Sequence, residues 1–259
     1  MFEHDWIWGK IPEGFEKISD GQKHRMVVRQ DMEMAIRFDM CAATGQVAEP
    51  SQFQGRTTLS VVRLPHGETA LIRAYHHGGV FRNVLGSIFF NWPARPFREL
   101  AITEEVRRRG VPTVEVFGAC IERIFGPFYR GWLITRELQG ALDLWRAFQG
   151  ATFTEKGSEQ MLRPVAQTLK ALHREGVYHR DLNLKNILVR VEGEAIKAYI
   201  IDFDRATLFL GEVPKQIAQR NLDRLLRSVR KLDPARKYFT RRDWELFVNW
   251  YHEVDHHEC

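Results

Sequence analysis

The stretch from Ser158 to Phe203 constrains the fold of this chain more than any other. Met161, Leu162, Val165, Leu169 and Leu172 recur at helical spacing between Ser158 and Arg174, and Gly176 stops the run. Directly after it come His179-Arg180-Asp181-Leu182-Asn183-Leu184-Lys185-Asn186. Two strand-like runs follow, Ile187-Leu188-Val189-Arg190-Val191 and Ile196 to Phe203, separated by Glu192-Gly193-Glu194, which predicts a hairpin. The order is therefore helix, His-x-Asp, Asn five residues after Asp, strand, turn, and an apolar strand ending in Asp202.

Any one of these residues has an ordinary explanation. Asp181 can cap a turn, Asn186 can bond its own backbone, and Asp202-Phe203-Asp204 can be a surface corner. Their joint occurrence in this order matches the kinase catalytic loop H-R-D-L-x-x-x-N followed by a metal-binding Asp. Phosphoryl transfer needs in-line positioning, a group that orients the attacking hydroxyl, and cations that offset phosphate charge. Mg²⁺ takes hard oxygen ligands and usually only one or two protein carboxylates. In that pattern Asp181 is the base and Asn186 and Asp202 are the Mg²⁺ ligands, and ATP is the expected donor.

The rest of the chain frames that block. Val27-Val28-Arg29, Thr57 to Arg63 and Ala70 to Tyr75 are strand-like, the last two flanking the turn Leu64-Pro65-His66-Gly67-Glu68. Pro96 opens a helix, Phe97 to Arg109, that stops at Gly110; further strands are expected around Val114–Phe117 and Trp132–Thr135. Late helices are expected from about Lys215 to Leu232 and Arg241 to His252. A strand-rich first half and helix-rich second half predict an α+β protein of two lobes: an N-lobe over 1–136 and a C-lobe over 137–259.

Composition adds exclusions. With 44% hydrophobic and 27% charged residues the chain is of globular type. No apolar run reaches the roughly 18 to 20 residues of a membrane span, and the first residues lack the pattern of a secretory leader. Cys41, Cys120 and Cys259 are widely spaced and form no CxxC pair, which fits a reducing cytoplasm. The net charge of +5 suits an anionic partner without calling for nucleic acid.

The segments GVYHRDLNLKNILV and YIIDFDRA resemble the lipopolysaccharide kinase family, and within it the kinases of 3-deoxy-D-manno-octulosonic acid (Kdo). Asn183 and Asp204 carry this resemblance, because protein kinases generally have Lys two residues after the base and Gly after Asp-Phe. The likeness extends to RAYHHGG (73–79), PFRELAITEEVRRRGVPTVEVFG (96–118) and NLDRLLRS (221–228), so it spans roughly Gln54 to Lys231. It implies a bilobal protein-kinase-like fold with a small β-rich N-lobe and a helical C-lobe. It also implies ATP-dependent phosphorylation of a Kdo hydroxyl on a lipid A precursor, in lipopolysaccharide core biosynthesis.

Carried over position by position, the resemblance makes Glu99 the helix glutamate and Arg73 its partner, on the strand that holds Lys in protein kinases. Glu104 and Glu105 lie on the same helix and remain alternatives to Glu99; Arg73 is equally explained as a solvated strand residue. The full glycine-rich loop is absent, so Gly55 is either a phosphate contact or a simple turn. Asp143 is a ribose candidate on position alone.

Two features bear on the acceptor. The segment Val80 to Trp92 is aromatic-rich with basic punctuation, which fits either packed core or a membrane-surface segment. Arg220, Arg224, Arg227, Arg230 and Lys231 recur three and four residues apart, as either a solvated face or a stripe for anionic phosphates. The resemblance places the chain peripherally at the cytoplasmic face of the inner membrane. Alternatives are a core heptose kinase, a small atypical protein kinase, or a silent nucleotide- or glycolipid-binding module. The His-rich tail, 252–259, reads as a frayed end.

Overall fold

The computed structural model describes residues 7–42, 59–76, 87–150 and 157–253. The chain divides into two compact units, Met1–Glu105 with Val114–Glu137, and Val106–Thr113 with Leu138–Cys259. The short piece 106–113 goes to the second unit, where a single cut near residue 136 would have left it in the first. Its bonds explain why: the Ile200 N–H donates to the Pro112 carbonyl at 3.0 Å, and the Arg109 guanidinium donates to the carbonyls of Glu175 and Phe209.

The first unit is built on six antiparallel strands: β1 (Phe15–Ser19), β2 (His24–Arg29), β3 (Leu59–Arg63), β4 (Thr69–Ala74), β5 (Val116–Phe125) and β6 (Phe128–Arg136). Their order in the sheet is β1-β2-β5-β6-β4-β3. Two helices accompany it, α1 (Phe38–Ala42) and α2 (Arg95–Arg108). Strand alternation sends Val27, Ala119, Ile121 and Leu133 to one face, against Phe97 and Leu100 of α2. Met26, Val28, Cys120 and Ile134 go to the other face, with Met32, Ile36 and Cys41. Both faces are covered, and each buried Val, Leu, Ile, Phe or Met among them contributes roughly 1.5–3 kcal/mol by leaving water.

The strand expected to end at Phe117 instead runs on to Phe125. Gly118 looks like a strand end but allows close approach: a Cβ there would lie 2.8 Å from the Val27 carbonyl oxygen on β2. A second departure is a disulfide between Cys41 and Cys120, 79 residues apart. The cysteine spacing had fitted a reducing cytoplasm and gave no sign of this pair, because the packing of α1 against β5 is what brings the two together.

The second unit contains β7 (Leu142–Asp143), α3 (Leu144–Gln149), α4 (Ser158–Arg174), β8 (Val177–Tyr178), β9 (Ile187–Glu192), β10 (Ala195–Ile200), β11 (Thr207–Leu208), α5 (Lys215–Leu232) and α6 (Arg241–His252). The sheets are β10-β9-β7 and β11-β8, both antiparallel. The apolar positions read from the sequence of α4 are all buried. Gly176 ends α4 at φ +72, and a Cβ there would meet the carbonyls of Gly211 and, at 2.7 Å, Phe209. The strand expected through Phe203 stops at Ile200. Ile201 leaves the ladder because its N–H turns to the Asn186 carbonyl at 3.0 Å.

Candidate active site

Within the second unit, the loop from His179 to Asn186 is held mainly by its own side chains. His179 is 1% exposed. Its Nε2 lies 2.9 Å from the Ile201 carbonyl, which can only accept, so Nε2 carries the proton. Its Nδ1 then accepts the Asp181 N–H at 3.2 Å. One imidazole thus ties the backbone of Asp181 to the residue before Asp202. The Asp181 carbonyl accepts from Nδ2 of Asn183 at 2.8 Å and from Nδ2 of Asn186 at 3.0 Å. Asn183 Oδ1 accepts the Lys185 N–H, capping a 3₁₀ turn at Leu184–Asn186. The Asp181 carboxylate, the group these contacts position, points to solvent with 57% of its side chain exposed and meets Arg224 Nη1 at 3.4 Å.

Helix α5 lies alongside this loop. Asn221, fully buried, accepts the His179 N–H at 3.3 Å on Oδ1 and donates from Nδ2 to the His179 carbonyl at 2.6 Å. The same Oδ1 takes the Nε2 proton of His173 at 2.9 Å, while His173 Nδ1 accepts from the Tyr251 hydroxyl at 2.7 Å. Ser228, two turns on, accepts the Leu184 N–H at 3.2 Å. Asn221, Arg224 and Ser228 therefore meet His179, Asp181 and Leu184 in register. NLDRLLRS carries part of the family resemblance, but the sequence alone gives no site role to Asn221 or Ser228. The available signal was a polar Asn on the apolar side of an otherwise basic helix.

Burial holds both His173 and His179 below the usual imidazole pKa. At His179 the bond to Ile201 and the charges of Asp202 and Asp181 oppose that shift without reversing it. The unfolded imidazoles titrate near ~6.5, so below that pH the unfolded chain binds protons that the folded one refuses. Stability is fully present above the unfolded value and falls as pH drops from there through the folded values. Urea midpoints measured between pH 8 and pH 5 should decline on the acid side of neutrality; a flat profile across that range would contradict the buried neutral pair.

Asp202 follows Ile201 at φ 70, in the left-handed region that Asp and Asn enter more readily than other non-glycine residues. Phe203 anchors it from one side, fully buried with its ring 5.3 Å from that of His179. The residue before this corner, Ile201, is tied to Asn186 through its N–H. Asn186 spends its amide nitrogen on the Asp181 carbonyl, which leaves Oδ1 as a hard oxygen donor. One carboxylate and one amide oxygen fit Mg²⁺ shared with phosphate oxygens.

In the first unit, Arg73 of β4 pairs with Glu99 of α2, whose side chain is 1% exposed. The Tyr75 hydroxyl donates to the other Glu99 oxygen, and the Arg73 guanidinium lies 4.9 Å from the Tyr75 ring centre. Of the three glutamates open from sequence, Glu99 is the one joined to Arg73; Glu104 accepts the Val116 N–H at 3.2 Å instead. Asp143 caps α3, accepting the Arg146 N–H at 3.0 Å, with its other oxygen 3.6 Å from Arg146 Nε. Gly55 and the part of the aromatic segment before Ser87 lie outside the described residues.

A strand Arg joined to a buried helix Glu, and a His-x-Asp loop joined through histidine to an Asp-bearing corner, are the parts of a kinase-type phosphotransferase. The profile of the Lipopolysaccharide kinase (Kdo/WaaP) family matches residues 20–251, and the chain belongs to that family. It is similar to the 3-deoxy-D-manno-octulosonic acid kinase of Pasteurella multocida (strain Pm70), with 30% identity over 71% of this chain and 76% of that protein. It is also similar to the enzyme of that name from Vibrio vulnificus (strain CMCP6), with 34% identity over 68% of this chain and 71% of that protein. Among solved structures, WaaP in complex with acyl carrier protein superposes with a TM-score of 0.56 at 20% identity, covering 89% of this chain and 90% of that one. That likeness shows a bilobal protein-kinase-like α+β fold.

Proposed function

We propose that the protein transfers the γ-phosphate of ATP to a hydroxyl of a Kdo residue on a lipid A precursor. Asp181, held through its backbone and open at its carboxylate, is the group that carries this reading. It accepts the proton of the acceptor hydroxyl as the oxygen–phosphorus bond forms and the bond to ADP breaks. Asn186 and Asp202 would hold Mg²⁺, which when bound offsets the charge of the phosphate oxygens. Arg73, fixed by Glu99, supplies an always-charged fork for phosphate in place of the usual Lys. Family membership and the named relatives support the acid sugar as acceptor.

Purified protein with Mg²⁺-ATP should phosphorylate Kdo-lipid A in preference to a heptosylated core or a protein substrate. Turnover confined to either of the latter would overturn the acceptor.

The acceptor is a membrane lipid, and among the described residues no helix is long and apolar enough to cross a bilayer. Peripheral contact with the inner membrane at its cytoplasmic face completes the reading. On α5, Arg220, Arg227 and Lys231 are exposed and share one edge with Arg224, the residue that reaches Asp181. That edge suits anionic phosphates of the lipid. Arg227→Gln with Lys231→Gln should raise KM for the glycolipid several-fold and flatten its salt dependence with KM for ATP unchanged; an unaltered salt dependence would exclude the stripe.

A further inference from the structure

The β5–β6 hairpin of the first unit ends in a tip where aromatic rings stay exposed. Phe125 and Phe128 are cross-strand partners there, with ring centres 4.7 Å apart. Phe90 joins them, 5.4 Å from Phe128, because Phe89 bridges to Tyr129 and brings its chain alongside β6. Phe90 is 63% and Phe125 61% exposed, while the intervening Tyr129 is fully buried. Two of the four exposed large apolar residues among those described therefore sit in one cluster. Scattered exposed apolar residues need no explanation, but a clustered aromatic group at a tip does.

The residues behind the tip decide the occupant. Arg123 stands two residues before Phe125, across a register shift, and Arg130 two residues after Phe128, opposite Glu122; both are exposed and neither is ion-paired among the described residues. Two residues of strand span about 7 Å. Aromatic rings at the end with a cationic collar behind match the interfacial layer of a bilayer, where apolar groups enter roughly 5–10 Å and cations meet head-group phosphates.

We infer that this hairpin tip is a membrane-docking element, with Phe90, Phe125 and Phe128 entering an anionic phospholipid surface and Arg123 and Arg130 engaging its phosphates. The inference rests on the lipid-acceptor reading above and adds to it a surface separate from the α5 edge. The aromatic segment noticed in the sequence ended at Trp92 and gave only Phe90; the hairpin supplies the other two rings.

The test is co-sedimentation of the full-length chain with phosphatidylcholine vesicles with and without phosphatidylglycerol. The wild type should bind the anionic vesicles, and F90S/F125S should weaken that binding about tenfold or more. R123Q/R130Q, which leaves every ring in place, should weaken it and remove most of its salt dependence. Turnover on detergent-dispersed Kdo-lipid A should stay within about twofold for both variants but fall on vesicle-embedded acceptor. Equal vesicle binding by wild type and both variants sinks the docking role, as does a shift from dimer to monomer in F90S/F125S with vesicle binding unchanged. Phenylalanine-dependent vesicle binding without any Kdo-lipid A phosphorylation would instead keep the docking element and remove the acceptor reading.

Discussion

Asp181→Asn should lower kcat by about 10²- to 10⁴-fold while leaving ATP affinity within about twofold and the unfolding midpoint unchanged. The size of the loss follows from chemistry: an amide keeps the shape of the carboxylate but cannot take the proton of the attacking hydroxyl. The unchanged stability follows from geometry. The Asp181 side chain is mostly exposed, and its ion pair with Arg224 is long at 3.4 Å, a type that contributes roughly 0–1 kcal/mol. The contacts that hold the loop are made by its backbone N–H and carbonyl, which the substitution keeps. Steady-state kinetics with ATP-binding calorimetry checks this, and retained turnover in the variant would assign the base elsewhere.

Asn221→Ala should destabilise the protein by about 3 kcal/mol or more and reduce activity beyond what unfolding explains. Three bonds are lost in a fully buried position: those from the His179 N–H and His173 Nε2–H, and that to the His179 carbonyl. Each unsatisfied buried group costs about 1–3 kcal/mol. In a chain of this length the thermal midpoint should drop on the order of 10 °C. His179 also positions the Asp181 amide and the Ile201 carbonyl, so loosening it displaces both ends of the site. Kinetics run well below the lowered midpoint separate the two effects: kcat should still be depressed about tenfold, and a variant with full kcat there would make Asn221 a purely structural residue.

These two residues also mark how far the sequence could be read. Asp181, Asn186 and Asp202 are local in the chain and their order is itself the signal, so their placement in one unit was legible. Helices α4, α5 and α6 were legible too, because long amphipathic periodicity survives without tertiary information. Asn221 was not, since its meaning depends on His173 and His179, which reach it only once α4, α5 and the loop have packed.

Short elements were missed for a related reason. Helices α1 and α3, of five and six residues, are too short for a period to show. Strand β1 alternates mostly polar residues, as an edge strand does. The sheet order that inserts β5 and β6 between β2 and β4, and the packing of α1 on that sheet that pairs Cys41 with Cys120, are long-range properties that no local window contains. The end of β10 at Ile200 was masked by Ile201, whose apolar side chain continues the pattern while its N–H has already turned to Asn186.

The central claim is phosphorylation of the Kdo sugar, and mass spectrometry of the lipid A–core region tests it most directly. Lipid from Gram-negative cells lacking their own Kdo kinase should gain the mass of one phosphate, located on the Kdo unit by fragmentation, when this chain is expressed, and gain nothing with its Asp181→Asn form. A phosphate found on heptose, or a Kdo unit left unmodified by an expressed and folded wild-type chain, would contradict the account.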